Sequence, residues 1–296
     1  MTKKIGLATL VLCVLAAAGY LGAKWFAARN VARQIDITVT RIPEIKAVEY
    51  NGLDVALFRQ NISLRDVTVT LAETGQEFHI DRLAVDGFEQ GGTIPGKLHV
   101  LIDGLDLDLT APLMAPVRND LERLGYHRLE VSLECRYGYD ETAKKLDVQQ
   151  FSVAVAQMGK IEITVGIQNL DISRLKGSLE NPLSLALLLP TASVSTAHLQ
   201  YRDASLVKRI LENGARRSGQ SVPEYTRRIF ADLSRTLGEA QDARIRDSLA
   251  AVDRFLKRPG QLSIRLSPEK PVPFLRLMFV REPAALAALF RLQVDS

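Results

Sequence analysis

Apolar and polar residues alternate along much of this chain, and the alternation changes phase at recurring points. Between Ile35 and Leu109, Val, Ile, Leu and Thr occupy every second position, the period of a strand with one buried face. Turn signals at Glu73-Thr74-Gly75 and Gln90-Gly91-Gly92 divide this stretch into an antiparallel meander. Within each predicted strand the parity of the apolar positions reverses across a polar or glycine-containing pair. Val48 and Tyr50 are followed by Asn51-Gly52 and then Leu53, Val55 and Leu57; Ile62 and Leu64 by Arg65-Asp66 and then Val67, Val69 and Leu71. Phe78 and Ile80 precede Asp81-Arg82, Leu83 and Val85; Leu98, Val100 and Ile102 precede Asp103-Gly104, Leu105, Leu107 and Leu109. Successive strand side chains point to opposite faces, so a reversal marks a bulge, a bend or a tight hairpin. Asn51-Gly52 and Asp103-Gly104 suit a type I′ turn, but Arg65-Asp66 and Asp81-Arg82 do not. The reading that covers all four is a row of bulges or bends crossing a strongly curved sheet, with one face buried along half of each strand and the opposite face along the rest.

The pattern then switches period. Thr110 is placed to cap a short helix near residues 111–124, with Pro112 in its first turn and Gly125 past its end. A second β run follows: Leu129, Val131, Leu133, Cys135, Tyr137 and Tyr139 alternate into a turn at Asp140 to Lys145. Phase reversals return at Gln149-Gln150 and Gln168-Asn169, and Val194 to Tyr201 reads as one more strand after the apolar stretch Leu183 to Leu189. Beyond it the chain turns helical. Asp203 caps Ala204 to Ser218, Ser221-Val222-Pro223-Glu224 is a capping box opening a second helix, and Ile245, Leu249, Val252 and Leu256 mark a third from about Gln241 to Arg258. A last strand at Leu262, Ile264 and Leu266 leads to short apolar helices at Phe274 to Val280 and Ala284 to Leu292.

At the other end, Lys3-Lys4 is followed by an uncharged run from Ile5 to Ala23, closed by Lys24 and Trp25. A bilayer core takes about 20 apolar residues in a helix, longer than the apolar region of a cleaved signal peptide, so the run predicts an uncleaved anchor. Lysines and arginines flank it on both sides, and charge alone does not orient it. The expected fold class is therefore α+β: an N-terminal transmembrane helix, a curved antiparallel β-sheet domain, then an α-helical segment packing on it and a returning C-terminal strand. The expected divisions are 1–34 for anchor and interfacial collar, 35–201 for the β-rich domain, and 202–296 for the helical segment.

The formal charge of +4 and a pI near 9.1 are mild for 296 residues, and aromatics at 6% are too sparse for base-stacking platforms, so nucleic acid is not an expected partner. Cys13 sits in the apolar run and Cys135 stands alone, so no disulfide is expected in the rest of the chain. Gly91-Gly92-Thr93-Ile94-Pro95-Gly96-Lys97 nearly spells a phosphate-binding loop, but Leu98 follows where Ser or Thr is required, and Lys97 opens a strand instead of a helix. His79, His99, His127 and His198 lack metal-ligand spacing, and no serine sits in a nucleophile elbow. No catalytic, cofactor or metal residues are expected.

Two surfaces remain. Leu105, Leu107 and Leu109, with Leu183 to Leu189, read either as core or as the lining of a lipid-holding groove. Arg216, Arg217, Arg227, Arg228 and Arg235 read either as a solvated helix face or as a contact for anionic lipid or a partner. The anchor, the strand Asn61-Ile62-Ser63-Leu64-Arg65-Asp66-Val67 and the Tyr137-Gly138-Tyr139-Asp140 hairpin resemble bacterial AsmA-like envelope proteins over Met1 to about Leu175. That resemblance implies a curved sheet associated with lipid handling between membranes. The expectation is a single-pass inner-membrane protein, its bulk in the periplasm, that is not an enzyme and binds phospholipid, an apolar ligand or an envelope protein. The alternative is a tethered scaffold or regulator with no ligand.

Overall fold

The computed structural model describes residues 32, 45–56, 61–87, 96–171, 191–237, 243–277, 279–280 and 282–296. Its elements run β1 (Ile45–Ala56), β2 (Asn61–Leu71), β3 (Glu77–Asp86) and β4 (Lys97–Asp108), then a 3-10 turn (Pro112–Met114), α1 (Ala115–Arg123), β5 (Arg128–Asp140), β6 (Lys145–Val155), β7 (Gly159–Gln168) and β8 (Ser193–Asp203). Helices α2 (Leu206–Arg217), α3 (Val222–Leu237) and α4 (Ala243–Lys257) follow, then β9 (Gln261–Leu266), β10 (Val272–Pro273), α5 (Phe274–Leu277), α6 (Pro283–Phe290) and β11 (Gln293–Asp295). The strands hydrogen-bond in chain order from β1 to β9, with β11 beside β9 and β10 beside β8. The chain forms two compact units, Met1–Gly87 with Ile102–Leu105, and Phe88–Leu101 with Asp106–Ser296.

This arrangement corrects the expected fold class. The sheet has 11 strands and, beyond the expected strand at Leu262 to Leu266, takes in β10 and β11, which are too short to show alternation. No helix among the described residues is long and apolar enough to cross a membrane; the longest, α3, has 16 residues against the roughly 20 that a span takes. The run Ile5 to Ala23, on which the anchor, the inner-membrane location and the periplasmic orientation all rested, lies outside the described residues, so those expectations are withdrawn. Leu183 to Leu189 and Gly91 to Pro95 lie outside them too.

In the first unit the phase reversals fall in a single row. The β1–β2 pairing steps from Tyr50–Val67 to Gly52–Arg65, and the β2–β3 pairing from Arg65–Arg82 to Val67–Ile80, so Asn51, Asp66 and Asp81 stand opposite one another with the register unshifted. Each strand passes through the row unbroken, which excludes hairpins there. Asp66 (φ 48°) and Gly104 (φ 66°) are left-handed. The consequence overturns the expected exchange of buried faces. Leu64, Val67 and Ile80 form one buried cluster, flanked by Tyr50, Leu53, Leu83, Ile102 and Leu105. Residues three apart in an even strand would point oppositely. Here 50 and 53, 64 and 67, 80 and 83, and 102 and 105 all serve one core, so the polar row re-phases each strand and keeps its apolar side chains together.

The second unit uses true bulges. On β6 the register changes against both neighbours at Gln149-Gln150, the predicted position, where one extra residue is accommodated. On β8 the extra residue is Ser195, whose hydroxyl donates to the Gly166 carbonyl at 2.9 Å in place of a ladder bond. The Gln168-Asn169 reversal is a strand end, with Asn169 at φ 58°. Leu109, Ala111, Met114, Tyr126 and Leu129 form one core of this unit, and Val194, Val272 and Phe290 another.

The helices follow the sequence with two corrections. The Ser221–Glu224 box forms: Ser221 N and Oγ both donate to Glu224 Oε2, at 2.9 and 2.7 Å. Asp203 Oδ1 accepts from Val207 N at 2.8 Å, in the first turn of α2. Thr110, however, is not a cap; its N–H and hydroxyl both turn back to Asp108 Oδ1 at 2.7 Å, holding that carboxyl below its ordinary pKa. On α4 the buried stripe is Ile245, Ser248, Ala251 and Phe255, with Leu249, Val252 and Leu256 only half-buried beside it.

Candidate functional site

The three leucines proposed for a lipid surface do not share one. Leu105 packs in the core of the first unit, whereas Leu107 and Leu109 belong to the Met114–Tyr126 core of the second. Leu109 is 1% exposed. A leucine that closed lies on no groove wall. Tyr126 fixes this core from the helical side: its hydroxyl pairs with Ser205 Oγ at 2.8 Å, and the Arg209 guanidinium lies 4.4 Å from its ring centroid while donating to the Leu124 and Gly125 carbonyls.

The arginines behave differently. Arg216, Arg217, Arg227, Arg228 and Arg235 are all exposed. Four of them flank the turn between α2 and α3. Arg216 and Arg217 close α2, Gly219 (φ 63°) turns the chain, and Arg227 and Arg228 follow in the opening turns of α3. The two helices meet at Gly214, where an added Cβ would stand 2.4 Å from Tyr225 Cζ, so only glycine admits the ring. Tyr225 then carries Arg228, whose guanidinium lies 5.0 Å from the ring centroid and donates to Ser218 Oγ at 3.1 Å, back at the end of α2. Arg227 Nε donates to the Pro223 carbonyl at 3.4 Å. Arg235 stands apart, about 12 Å further along α3 at 1.5 Å per residue, and is paired with Asp232 at 3.1 Å. The carboxylate nearest in sequence to this turn, Glu224, accepts two hydrogen bonds from Ser221 and lies in the field of Arg227, and these hold it below its ordinary pKa.

Sequence reasoning found the arginines but missed Gly214, Tyr225 and Ser218, which set the position of Arg228. A glycine inside an amphipathic helix was the available signal.

Among the described residues the histidines and carboxylates form no site that competes. His99 Nε2 pairs with Glu134 Oε1 at 2.9 Å, while Glu134 Oε2 accepts from Gln150 Nε2 at 2.8 Å, a cross-strand polar network on β4, β5 and β6. His79 lies beside Asp81 at 3.5 Å, and His198 Nε2 beside Ser263 Oγ at 2.8 Å. Among the described residues no group of three or more His, Cys, Asp or Glu side chains could hold a metal ion. The polar groove between α4 and β11 mixes Arg244 and Arg291 with Asp247 and Asp295 and presents no excess of either charge.

Residues 152–296 match a family described as "Uncharacterized protein", a stretch that runs from within β6 to the end of the chain and includes the arginine tip. A comparison with curated proteins gives no match.

Proposed function

We propose that this chain is a non-enzymatic interaction module whose sheet is a packed scaffold and not a ligand-holding surface. The observation that carries this reading is the placement of Leu109, 1% exposed among Ala111, Met114, Tyr126 and Leu129, with Leu107 packed against the same cluster. A lipid groove needs a continuous exposed apolar strip, and the three of its candidate residues that are described, Leu105, Leu107 and Leu109, are divided between two cores. Removing a leucine from such a core costs about 2–5 kcal/mol, through lost transfer energy and the cavity left behind.

The test has two readouts on the purified full chain. Leu109→Ala should lower the unfolding free energy by about 2–5 kcal/mol, and organic extraction followed by mass spectrometry should recover no stoichiometric lipid. Co-purifying lipid, or a Leu109→Ala variant as stable as the parent, would replace the scaffold with a ligand surface.

A further inference from the structure

We infer that the outward side of the α5–α6 segment, made by Leu275, Phe279, Ala284, Ala285 and Ala288, docks on the surface of an anionic lipid bilayer; this goes beyond the scaffold reading of the sheet and needs no membrane-spanning helix. α6 reads Pro-Ala-Ala-Leu-Ala-Ala-Leu-Phe, without one polar side chain. A helix apolar on every side is at home only away from water. Ala287 and Phe290 are buried, and Leu286 and Leu289 pack half-buried against Val194, Val272 and Phe290, but Pro283, Ala284, Ala285 and Ala288 are exposed. α5 rests on the same core through Phe274 and Leu277. Its other side carries Leu275, 45% exposed, and just past its end Phe279, 76% exposed, whose N–H donates to the Arg276 carbonyl at 3.2 Å and continues the turn. The other exposed large apolar residues, Val117, Ile161, Ile210 and Val222, stand on four different elements, and none exceeds 45%.

The charges around this patch set its occupant. From Lys270 to Val280 the chain carries Lys270 and Arg276, both exposed, and no acidic residue. Glu269, just before, is paired with Arg291, and Glu282 precedes α6, so Lys270, Arg276 and Arg291 exceed Glu269 and Glu282 by one. An apolar centre with a basic margin matches the bilayer interface, where apolar side chains enter the acyl boundary and cations meet lipid phosphates. Size argues against a protein in that place. A stable protein interface takes about 20–30 residues a side, and a second copy of this chain would need the same. A bilayer asks for no matching pocket, and each side chain that enters it gains separately, so a small patch gives weak, reversible, salt-sensitive binding.

The chain has one tryptophan, Trp25, so a full-length Trp25→Phe/Phe279→Trp variant reports from the patch alone, whatever the rest of the chain does to the same vesicles. With vesicles of mixed phosphatidylcholine and phosphatidylglycerol, its emission should shift to the blue and be quenched by brominated acyl chains. Apparent affinity should fall about five-fold or more on phosphatidylcholine alone, in high salt, or with Arg276→Glu, and by a similar factor with Leu275→Ser. A Trp25→Phe/Val117→Trp chain should show neither shift nor quenching. Circular dichroism checks folding, and Leu275→Trp takes over as reporter if Phe279→Trp unfolds. A reporter that ignores the vesicles, quenching as strong at position 117, indifference to Arg276→Glu and Leu275→Ser, or a blue shift that grows with protein concentration in the absence of lipid would overturn the inference, the last by assigning the patch to a second copy. Stoichiometric lipid in the purified chain defeats the scaffold reading whatever the reporter does, while a lipid-free chain whose reporter ignores vesicles defeats the docking surface alone.

Discussion

Gly104 and Asp81 lie against each other on neighbouring strands: a Cβ added to Gly104 would stand 2.1 Å from Asp81 Oδ2 and 2.7 Å from Asp81 Cβ. Gly104 is also left-handed, at φ 66°. Gly104→Ala therefore meets both a steric and a conformational penalty, the latter alone about 1–3 kcal/mol. Chemical denaturation should show the variant destabilised by at least that amount. Adding Asp81→Gly should recover part of the loss, because it removes the clash and leaves the backbone strain. Full recovery would mean that the left-handed conformation is not required where β4 meets the row.

Leu64 and Val67 flank the same row on β2 and belong to one cluster, 5% and 0% exposed. Truncating Leu64 to Ala should cost about 2–5 kcal/mol. Sites that share a core couple, whereas sites on opposite faces of a strand add. A double-mutant cycle of Leu64→Ala and Val67→Ala is expected to show a coupling of about 0.5 kcal/mol or more. Strict additivity would restore the idea that the strand exchanges its buried face at Asp66.

The longer strands of both units were legible because alternation is a direct imprint of burial, and even the irregular points at Asp66, Gly104 and Gln149 showed in the sequence as lost parity. What parity could not reveal is the remedy. A reversal at Arg65-Asp66 and one at Gln149-Gln150 look alike as text, yet the first keeps register with a left-handed Asp66 and the second admits an extra residue. The difference lies in the neighbouring strands, which reverse opposite Asp66, whereas β5 and β7 run past Gln149 without an extra residue. The stripe on α4 was misread for a related reason. Ser248 and Ala251 are buried by close packing and not by hydrophobicity, so a count of large apolar residues passed over them. At the α2–α3 turn the arginines were plain in the sequence, but the Gly214–Tyr225 contact that joins the two helices and carries Arg228 was not.

The Ser221–Glu224 box gives a pH dependence of known sign. Its hydrogen bonds lower the Glu224 pKa in the folded chain below the 4.5 of the free side chain. A depressed carboxyl stabilises the fold above the unfolded value and loses that contribution as pH falls through the folded one. Thermal unfolding from pH 7 down to pH 3 should therefore show a smaller acid-side loss in Glu224→Gln than in the parent. Ser221→Ala, which removes the hydroxyl bond but keeps the carboxyl, should lower the melting temperature at pH 7 and shrink the same dependence. An unchanged acid limb in both variants would show that the box does not persist in solution.

Tyr201 supplies the opposite limb. Burial first, and then its 2.6 Å hydrogen bond to Asp203 Oδ1, raise its pKa well above 10.0, because the phenolate would be both desolvated and set beside a carboxylate. The folded chain thus holds this proton after the unfolded chain has lost it. Stability from this group is complete below pH 10 and declines as pH rises further toward the folded value. Phenolate absorbance near 295 nm, followed on the folded protein, should lose its most alkaline component in Tyr201→Phe. The same variant should unfold at neutral pH with a modest loss, about 0.5–1.5 kcal/mol for the missing hydrogen bond, and with a flatter decline above pH 10. Because Asp203 Oδ1 also receives Val207 N at 2.8 Å, the start of α2 should survive the substitution. A variant that keeps the parent's alkaline absorbance component would assign the raised pKa to another tyrosine, for which Tyr137, raised by burial between β4 and β6, is the candidate.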